Sequence, residues 1–263
     1  MAKALKRFLI SSSLSGLGQN QKREARTVLL TPEETHHLKN VLRIKEGSLC
    51  LLFDRDGNEF VSCLERFRSD ARSEAKLIEP ILTERDDLLK LTVAQAIPQD
   101  RKMDLIVQKS AELGVFKLIP LVTERTVVRI AAEQVKKVHA RWERIVEQTL
   151  KQSRIRRAPE IAPPTSFEEL LSRFSQYDRI FLPHTSPDAK PIRESLLSNG
   201  TAGSKVASSA RILLMIGPEG GFSPREVEES RAQGAQVVRM GSGILKMDTA
   251  FVAAVGFFCL MYS

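Results

Sequence analysis

The stretch Arg211–Glu229 reads RILLMIGPEGGFSPREVEE. An unbroken apolar run, ILLMI, ends in Gly-Pro-Glu-Gly-Gly-Phe, and a helix starts at once. Ser223, Pro224 and Glu226 have the spacing of a capping box with proline at the first helical position. A strand that ends in glycines and turns straight into a helix is one βα unit of an α/β sheet. The glycines permit positive φ and leave bare backbone for a ligand to approach, and small molecules bind α/β sheets at the carboxyl ends of their strands. Equally, Ser223 can simply close the helix while the glycines shape a tight turn. The turn lacks both the Lys-Ser/Thr of a Walker loop and the GxGxxG spacing, which argues against a nucleoside triphosphate site.

Downstream the arrangement repeats. QVVRM runs into Met240-Gly241-Ser242-Gly243, and ILKMDTAFVAAVGFF follows, an all-apolar helix for which Asp248 or Thr249 is the expected cap. The two glycine turns are expected to end adjacent strands. Upstream, strand-like runs alternate with helical patterns. These are LTVAQAI, a helix near 101–113, KLIPLV, a long helix near 131–155, a short helix near 167–174 and DRIFLP. Such alternation predicts a parallel sheet. Met103, Ile106, Val107, Ser110 and Leu113 share one face of the first helix, and Val135, Val138, Trp142, Ile145, Val146 and Thr149 form the buried stripe of the long one. Ser198–Ala210 reads as a surface loop.

The amino-terminal part has a different texture. RFLI, TVLL, SLCLLFD and EFVSCLERF are short β-like runs, with Asp56-Gly57 as a hairpin signal between the last two. One helix interrupts them, opening at Thr31-Pro32-Glu33-Glu34, carrying His36, His37 and Lys39, and ending near Arg43. TERDDLLK, residues 83–90, is the best linker candidate. The expected organisation is a β-rich domain over residues 1–80 and an α/β domain over 86–263.

Of the +8 net charge, residues 1–80 hold 14 basic against 11 acidic groups, residues 81–165 hold 16 against 11, and residues 166–263 hold 10 of each. The basic excess therefore lies upstream of the glycine turns, which fits a polyanion surface on the first two thirds of the chain. Cys50, Cys63 and Cys259 are odd in number and far apart, so neither a disulfide framework nor a metal site is expected. The apolar stretch in MAKALKRFLISSS is too short for a signal peptide, and Ala250–Tyr262 is too short to span a bilayer. A cytoplasmic chain without metal or membrane partner is the expectation.

IGPEGGFSPREVE together with GSGILKMDTA resembles the 16S rRNA uridine-N3 methyltransferases of the SPOUT superfamily. HHLKNVLRIKEG (36–47), QDRKMDLIVQKSAELGV (99–115), PLVTERTVV (120–128), RW (141–142) and EQTLKQSRIRRAPEI (147–161) match in the family's order, so the resemblance covers nearly the whole chain. It implies a small β-barrel-like, PUA-like RNA-binding domain and an α/β domain with a deep trefoil knot, paired as a homodimer. It also implies S-adenosylmethionine held mostly by backbone at Leu182, Pro183 and His184, at Ile216 and Gly217 with Gly220 and Gly221, and at Met240 and Gly241 with Ile244, Leu245 and Thr249. The last motif departs from the family's Leu-Gly-x-Arg-Ile-Leu-Arg-x-Glu-Thr-Ala by carrying Met240, Gly243, Lys246 and Asp248. Lys246 offers a point charge where the family has a planar fork.

The activity so implied is methylation of uridine N3 in 16S rRNA, free or within the small subunit. Loss of the N3 proton spreads negative charge onto the flanking carbonyl oxygens, so the site needs fixed donors or cations. The candidates are Arg154, Lys246 and Glu112 for catalysis, and Arg7, His37, Arg43, Lys102, Lys109 and Arg125 for RNA. Lys109 beside Glu112, and Arg125 beside Glu124, also read as ordinary surface charges. His184 is a minority candidate for a general base, and Trp142 reads as core. A methyltransferase for another rRNA or tRNA nucleotide, and a non-catalytic RNA-binding assembly protein, remain the alternatives.

Overall fold

The computed structural model describes residues 5–15, 26–81, 89–100, 102–153, 155, 157–197 and 210–262. Arg154, most of the 83–90 stretch and all of the 198–210 stretch but Ala210 lie outside them. The chain divides into two compact units, Met1–Arg85 with Leu150–Ala158, and Asp86–Thr149 with Pro159–Ser263. Residues 150–158 thus group with the amino-terminal unit, a feature with no sequence signal.

The first unit is a five-stranded sheet in the order β1-β3-β4-β5-β2, built from β1 (Arg7–Leu9), β2 (Arg26–Leu30), β3 (Leu49–Phe53), β4 (Glu59–Phe67) and β5 (Ser73–Pro80). The β3–β4 hairpin turns at Asp54–Asn58. Asp54 is 2% exposed and its carboxylate accepts from the backbone N–H groups of Leu14, Asp56 and Asn58, while Gly57 takes φ +88°. β5 has no counterpart among the expected strands. Its alternation runs through Ser73, Ala75 and Leu77 on the buried face, and its small residues carry too little apolar signal to register. Helix α1 (Pro32–His36) opens with a complete Thr31/Glu34 capping box and passes into a π-helical turn over His37–Val41. The turn ends at Arg43, whose φ of +52° is left-handed.

The second unit is a sheet in the order β11-β13-β10-β12-β6-β7-β8, with β9 also on β7, and every pairing is parallel. Its elements are β6 (Lys90–Ala96), α2 (Lys102–Glu112), β7 (Lys117–Val122), α3 (Ala132–Gln152), β8 (Glu160–Ile161), β9 (Thr165–Ser166), α4 (Phe167–Leu171), a 3-10 turn at Phe174–Gln176, β10 (Arg179–Pro183), β11 (Lys190–Pro191), α5 (Ile192–Leu197), β12 (Arg211–Ile216), α6 (Pro224–Ala232), β13 (Gln236–Arg239) and α7 (Met247–Tyr262). Strands β6 and β12 are buried along almost their whole length, as central parallel strands must be. One sheet face packs Ala94, Ile119, Leu121, Leu213 and Met215 against Phe167, Leu170, Phe222 and Val227.

Four expectations need correction. β12 and β13 are not adjacent, because β10 lies between them. Sequential order along the chain does not fix lateral order in a parallel sheet, where each crossover can skip a strand. Asp248 and Thr249 do not cap α7. The helix already includes Met247, Ala250 N–H donates to Lys246 C=O, and Asp248 accepts from Thr249 N–H inside the first turn. In the long helix α3, Val135, Val138 and Ile145 are only half-buried, and the buried stripe consists of Trp142, Val146, Thr149 and Leu150. Likewise on α2 the buried face closes on Ala111, with Leu113 half-buried beyond the helix end.

Candidate functional site

Because β13, β10 and β12 are laterally consecutive and parallel, their carboxyl ends lie on one edge of the sheet and their loops leave side by side. Pro183 is in register with Val238, and Phe181 with Leu214. The loops are 184–189 after β10, 217–223 after β12 and 240–246 after β13. Leu182 and Ile216 are buried core side chains, 0% and 3% exposed, so they can offer a ligand only backbone. Gly217 and His184 are half-buried, whereas Gly241, Ile244, Leu245, Lys246 and Thr249 are exposed. A Cβ built on Gly241 or Gly243 would meet nothing within 4 Å. The third loop is thus an open backbone strap with an exposed apolar tip at Ile244.

The glycines of the second loop differ in what they do. Only Gly221 has positive φ, +67°, and its N–H donates to Pro218 C=O at 2.8 Å to close the turn. At Gly217 a Cβ would stand 3.1 Å from Phe222 N and 3.2 Å from Gly221 C, so this glycine is required by the loop's own folding. At Gly217 and Gly221 the tight-turn reading therefore holds, whatever backbone they also offer a ligand. Gly220 offers its carbonyl to Arg125 Nη1 at 2.7 Å.

Side chains given no role in the site by the sequence hold this turn. Glu226, 0% exposed, accepts from Ser223 N–H and, across to the loop after β7, from Glu124 N–H, both at 2.8 Å. Thr123 and Thr126 bond to each other and fix the bend that delivers Arg125 and Glu124. Glu219 takes Gln99 N–H at 3.3 Å and Lys102 Nζ at 3.4 Å. On β6, Gln95 is fully buried with Nε2 donating to Ala96 C=O and 2.8 Å from Met247 Sδ, while its Oε1 has no partner among the described residues. The capping box was the one signal that pointed at Glu226, and it gave only the local half of its role.

His184 follows β10 directly, its N–H donating to Val238 C=O at 2.8 Å. Ser186 N–H donates to its Nδ1 at 3.1 Å, so the neutral ring carries its proton on Nε2. Burial lowers the imidazole pKa below 6.5; nearby Arg125 and Arg231 push the same way and Asp188 opposes them. With Nδ1 occupied and Nε2 protonated, His184 is a hydrogen-bond donor here, which removes it as a general base.

The remaining candidates are spread out. Since β6 runs to the loop edge and α2 runs back along the sheet for about 16 Å, Lys109 and Glu112 lie toward the opposite edge. They pair there at 2.5 Å, and the lysine holds the carboxyl below its usual range. Glu112 is therefore remote from the three loops of its own chain. Arg7 is not a free RNA ligand either. It is 19% exposed, bonded to Glu59 at 2.7 Å, stacked 3.4 Å over Phe53, and its Nη1 lies 3.4 Å from the carbonyls of Ser153 and Ile155. An arginine inside a strand gives no sign in sequence that its partners are internal. His37 packs edge-on against Phe8, and burial, then Lys151, lower its pKa. Arg43 is exposed. Among the described residues no cluster of three or more His, Cys, Asp or Glu is arranged to hold a metal, and no helix is long and apolar enough to cross a membrane.

Comparison with known proteins bears on this arrangement. An RNA methyltransferase domain family matches residues 85–258, and an RNA methyltransferase PUA domain family matches residues 30–66. Ribosomal RNA small subunit methyltransferase E of Bacillus subtilis is 30% identical over 234 residues, 89% of this chain and 90% of the relative. The chain belongs to the ribosomal RNA small subunit methyltransferase E family. The family member of Synechocystis is 28% identical over 87% of this chain and 71% of its own length. The crystal structure of the Neisseria gonorrhoeae family member bound to S-adenosyl methionine matches with a TM-score of 0.75 and 29% identity over 97% of each chain. The PUA-like first unit and the parallel-sheet second unit are thus those of this methyltransferase family, and the chain is an enzyme of that kind.

Proposed function

We propose that this enzyme transfers a methyl group from S-adenosylmethionine to N3 of a uridine in 16S ribosomal RNA, acting in the cytoplasm as a homodimer. The observation that carries this reading is the convergence of three loops at the carboxyl ends of the adjacent strands β13, β10 and β12. The residues fit the cofactor. Open backbone at Gly241 and Gly243, apolar Ile244 and Leu245, and a neutral histidine suit a ligand that carries an adenosine, a sulfonium and no phosphate. Leu182, Pro183, Ile216, Gly217, Gly220, Gly221, Met240 and Thr249 complete the proposed contact set. The family's knot belongs to the reading, supported by the insertion of β12 between β10 and β6.

When bound, the cofactor supplies the electrophilic methyl group. The protein must bring an unpaired or splayed-out uridine to it and hold the anion left when the N3 proton departs. Lys246, exposed on the strap before α7, is the described cation proposed to face the uracil oxygens, and Arg154, outside the described residues, is proposed for the same role. Nε2–H of His184 is a further fixed donor at the same edge. Replacing Lys246 by Met is expected to lower the single-turnover rate about 10²-fold with cofactor affinity unchanged, and a normal rate at saturating RNA would reassign the residue to binding.

The homodimer is supported by α7, which leaves Val252 and Leu260 exposed, and by Leu105, exposed on the α2 that packs against it. The direct test of the function is mass spectrometry of 16S rRNA from strains with and without the gene. Loss of one N3-methyluridine is the expected result, and an unchanged modification pattern would refute it.

A further inference from the structure

Helix α3 carries a charge pattern that the candidate site leaves unexplained. Residues 81–165 hold the largest share of the net charge, yet the cations first assigned to RNA in that segment are engaged: Lys102 with Glu219, Lys109 with Glu112, Arg125 with Gly220 C=O. The excess must reside elsewhere. At about 100° per residue, Lys137, Arg141, Arg144 and Gln148 fall within about 40° of one line, directly opposite the buried Trp142 and Val146. All four are exposed, and the first and last are about 16 Å apart along the axis. Glu143 and Glu147 lie well round the helix from that line. Glu133, one turn before Lys137, is the nearest acid along it and sits where the helix dipole favours it.

The same side chains line a groove of about 420 Å³ whose walls are Gln134, Lys137, Val138, Arg141 and Arg144, with no acid among them. Asp104 of α2 bonds Arg141 and fixes the middle of the row. Among the described residues neither Lys137 nor Arg144 makes an ion pair. A solvated helix face ordinarily mixes its signs in i,i+4 pairs; two unpaired cations, Lys137 and Arg144, on either side of an Arg141 that Asp104 holds, match successive phosphates of a phosphodiester backbone.

We propose that the face of α3 carrying Lys137 and Arg144, with Arg141 held between them by Asp104, is a docking surface for the sugar–phosphate backbone of the RNA substrate. It fixes the position of the RNA without reading its sequence. The inference rests on the RNA-methyltransferase reading above. Lys137→Gln/Arg144→Gln removes two exposed charges, and Lys136→Gln on the flank of the same helix is the control for net charge. Binding of a 16S rRNA transcript is measured over a range of salt, together with turnover at saturating RNA and calorimetric affinity for S-adenosylmethionine. The double variant is expected to lose about two from the slope of log K against log salt. Its turnover at saturating RNA and its cofactor affinity stay at wild-type values, and Lys136→Gln keeps the wild-type slope. A wild-type slope in the double variant, or an equal loss from Lys136→Gln, overturns the proposal; if RNA binding is intact, the surface then serves something else, such as an acidic protein. A wild-type chain that neither binds nor methylates the transcript would instead count against the function itself.

Discussion

At the scale of single residues, the loop glycines separate into two kinds that mutation distinguishes. Gly241→Val adds a side chain to open space, so thermal stability should hold while calorimetric affinity for S-adenosylmethionine is lost. Gly221→Ala places a Cβ on a left-handed backbone and should cost about 1 kcal/mol of unfolding free energy, and Gly217→Val should be worse because its neighbours are backbone atoms. Retained affinity in Gly241→Val would dissociate the strap from the cofactor. His184 makes a prediction about pH. Its pKa is lowered in the folded chain, so below 6.5 the unfolded chain binds the extra proton first. Stability is therefore complete above that value and falls as acid approaches the folded pKa. Between about pH 5 and about pH 7.5, the melting temperature of His184→Asn should vary less than that of the wild type. Parallel curves would mean that the ring is not held neutral.

At the scale of elements, the α6 capping box does more than start a helix. Its carboxylate also takes Glu124 N–H from the loop after β7, so two segments share one buried acceptor. Ser223→Ala removes only the local cap and should cost about 1 kcal/mol. Glu226→Ala strands two backbone donors in different loops and should cost more, by denaturant titration, and also loosen the turn that Arg125 braces. Equal costs would mean that the cross-link is idle. The capping box was legible because its chemistry is local, and so were the central strands, whose unbroken apolar runs admit few alternatives. What was not legible depends on distant partners. β5 pairs through small residues, Arg7 is consumed by Glu59 and by the carbonyls of Ser153 and Ile155, and Glu112 lies at the far edge of the sheet. Of the candidate site, the loops could be read and the supports could not, because Glu226, Glu219 and Gln95 act across the fold.

At the scale of the whole molecule, the exposed side of α7 predicts association. Val252→Lys or Leu260→Lys should turn a dimer into a monomer in light scattering at micromolar concentration, with the fold retained by circular dichroism. A dimer that survives both would place the interface elsewhere. The strand order carries a separate consequence, for biosynthesis. β12 stands between β10 and β6, so when β10 leaves the ribosome it has no hydrogen-bonded partner, and it must wait about 30 residues for β12. The half-sheet β6-β7-β8 can form early, but the half that carries all three loops closes in one late, long-range step, and such steps are slow. A nascent or partly unfolded chain therefore owns no fraction of the pocket. Ligand capture therefore follows completion of the fold, and any ligand of the pocket should protect β10, β12 and β13 from hydrogen exchange far more than it protects β7.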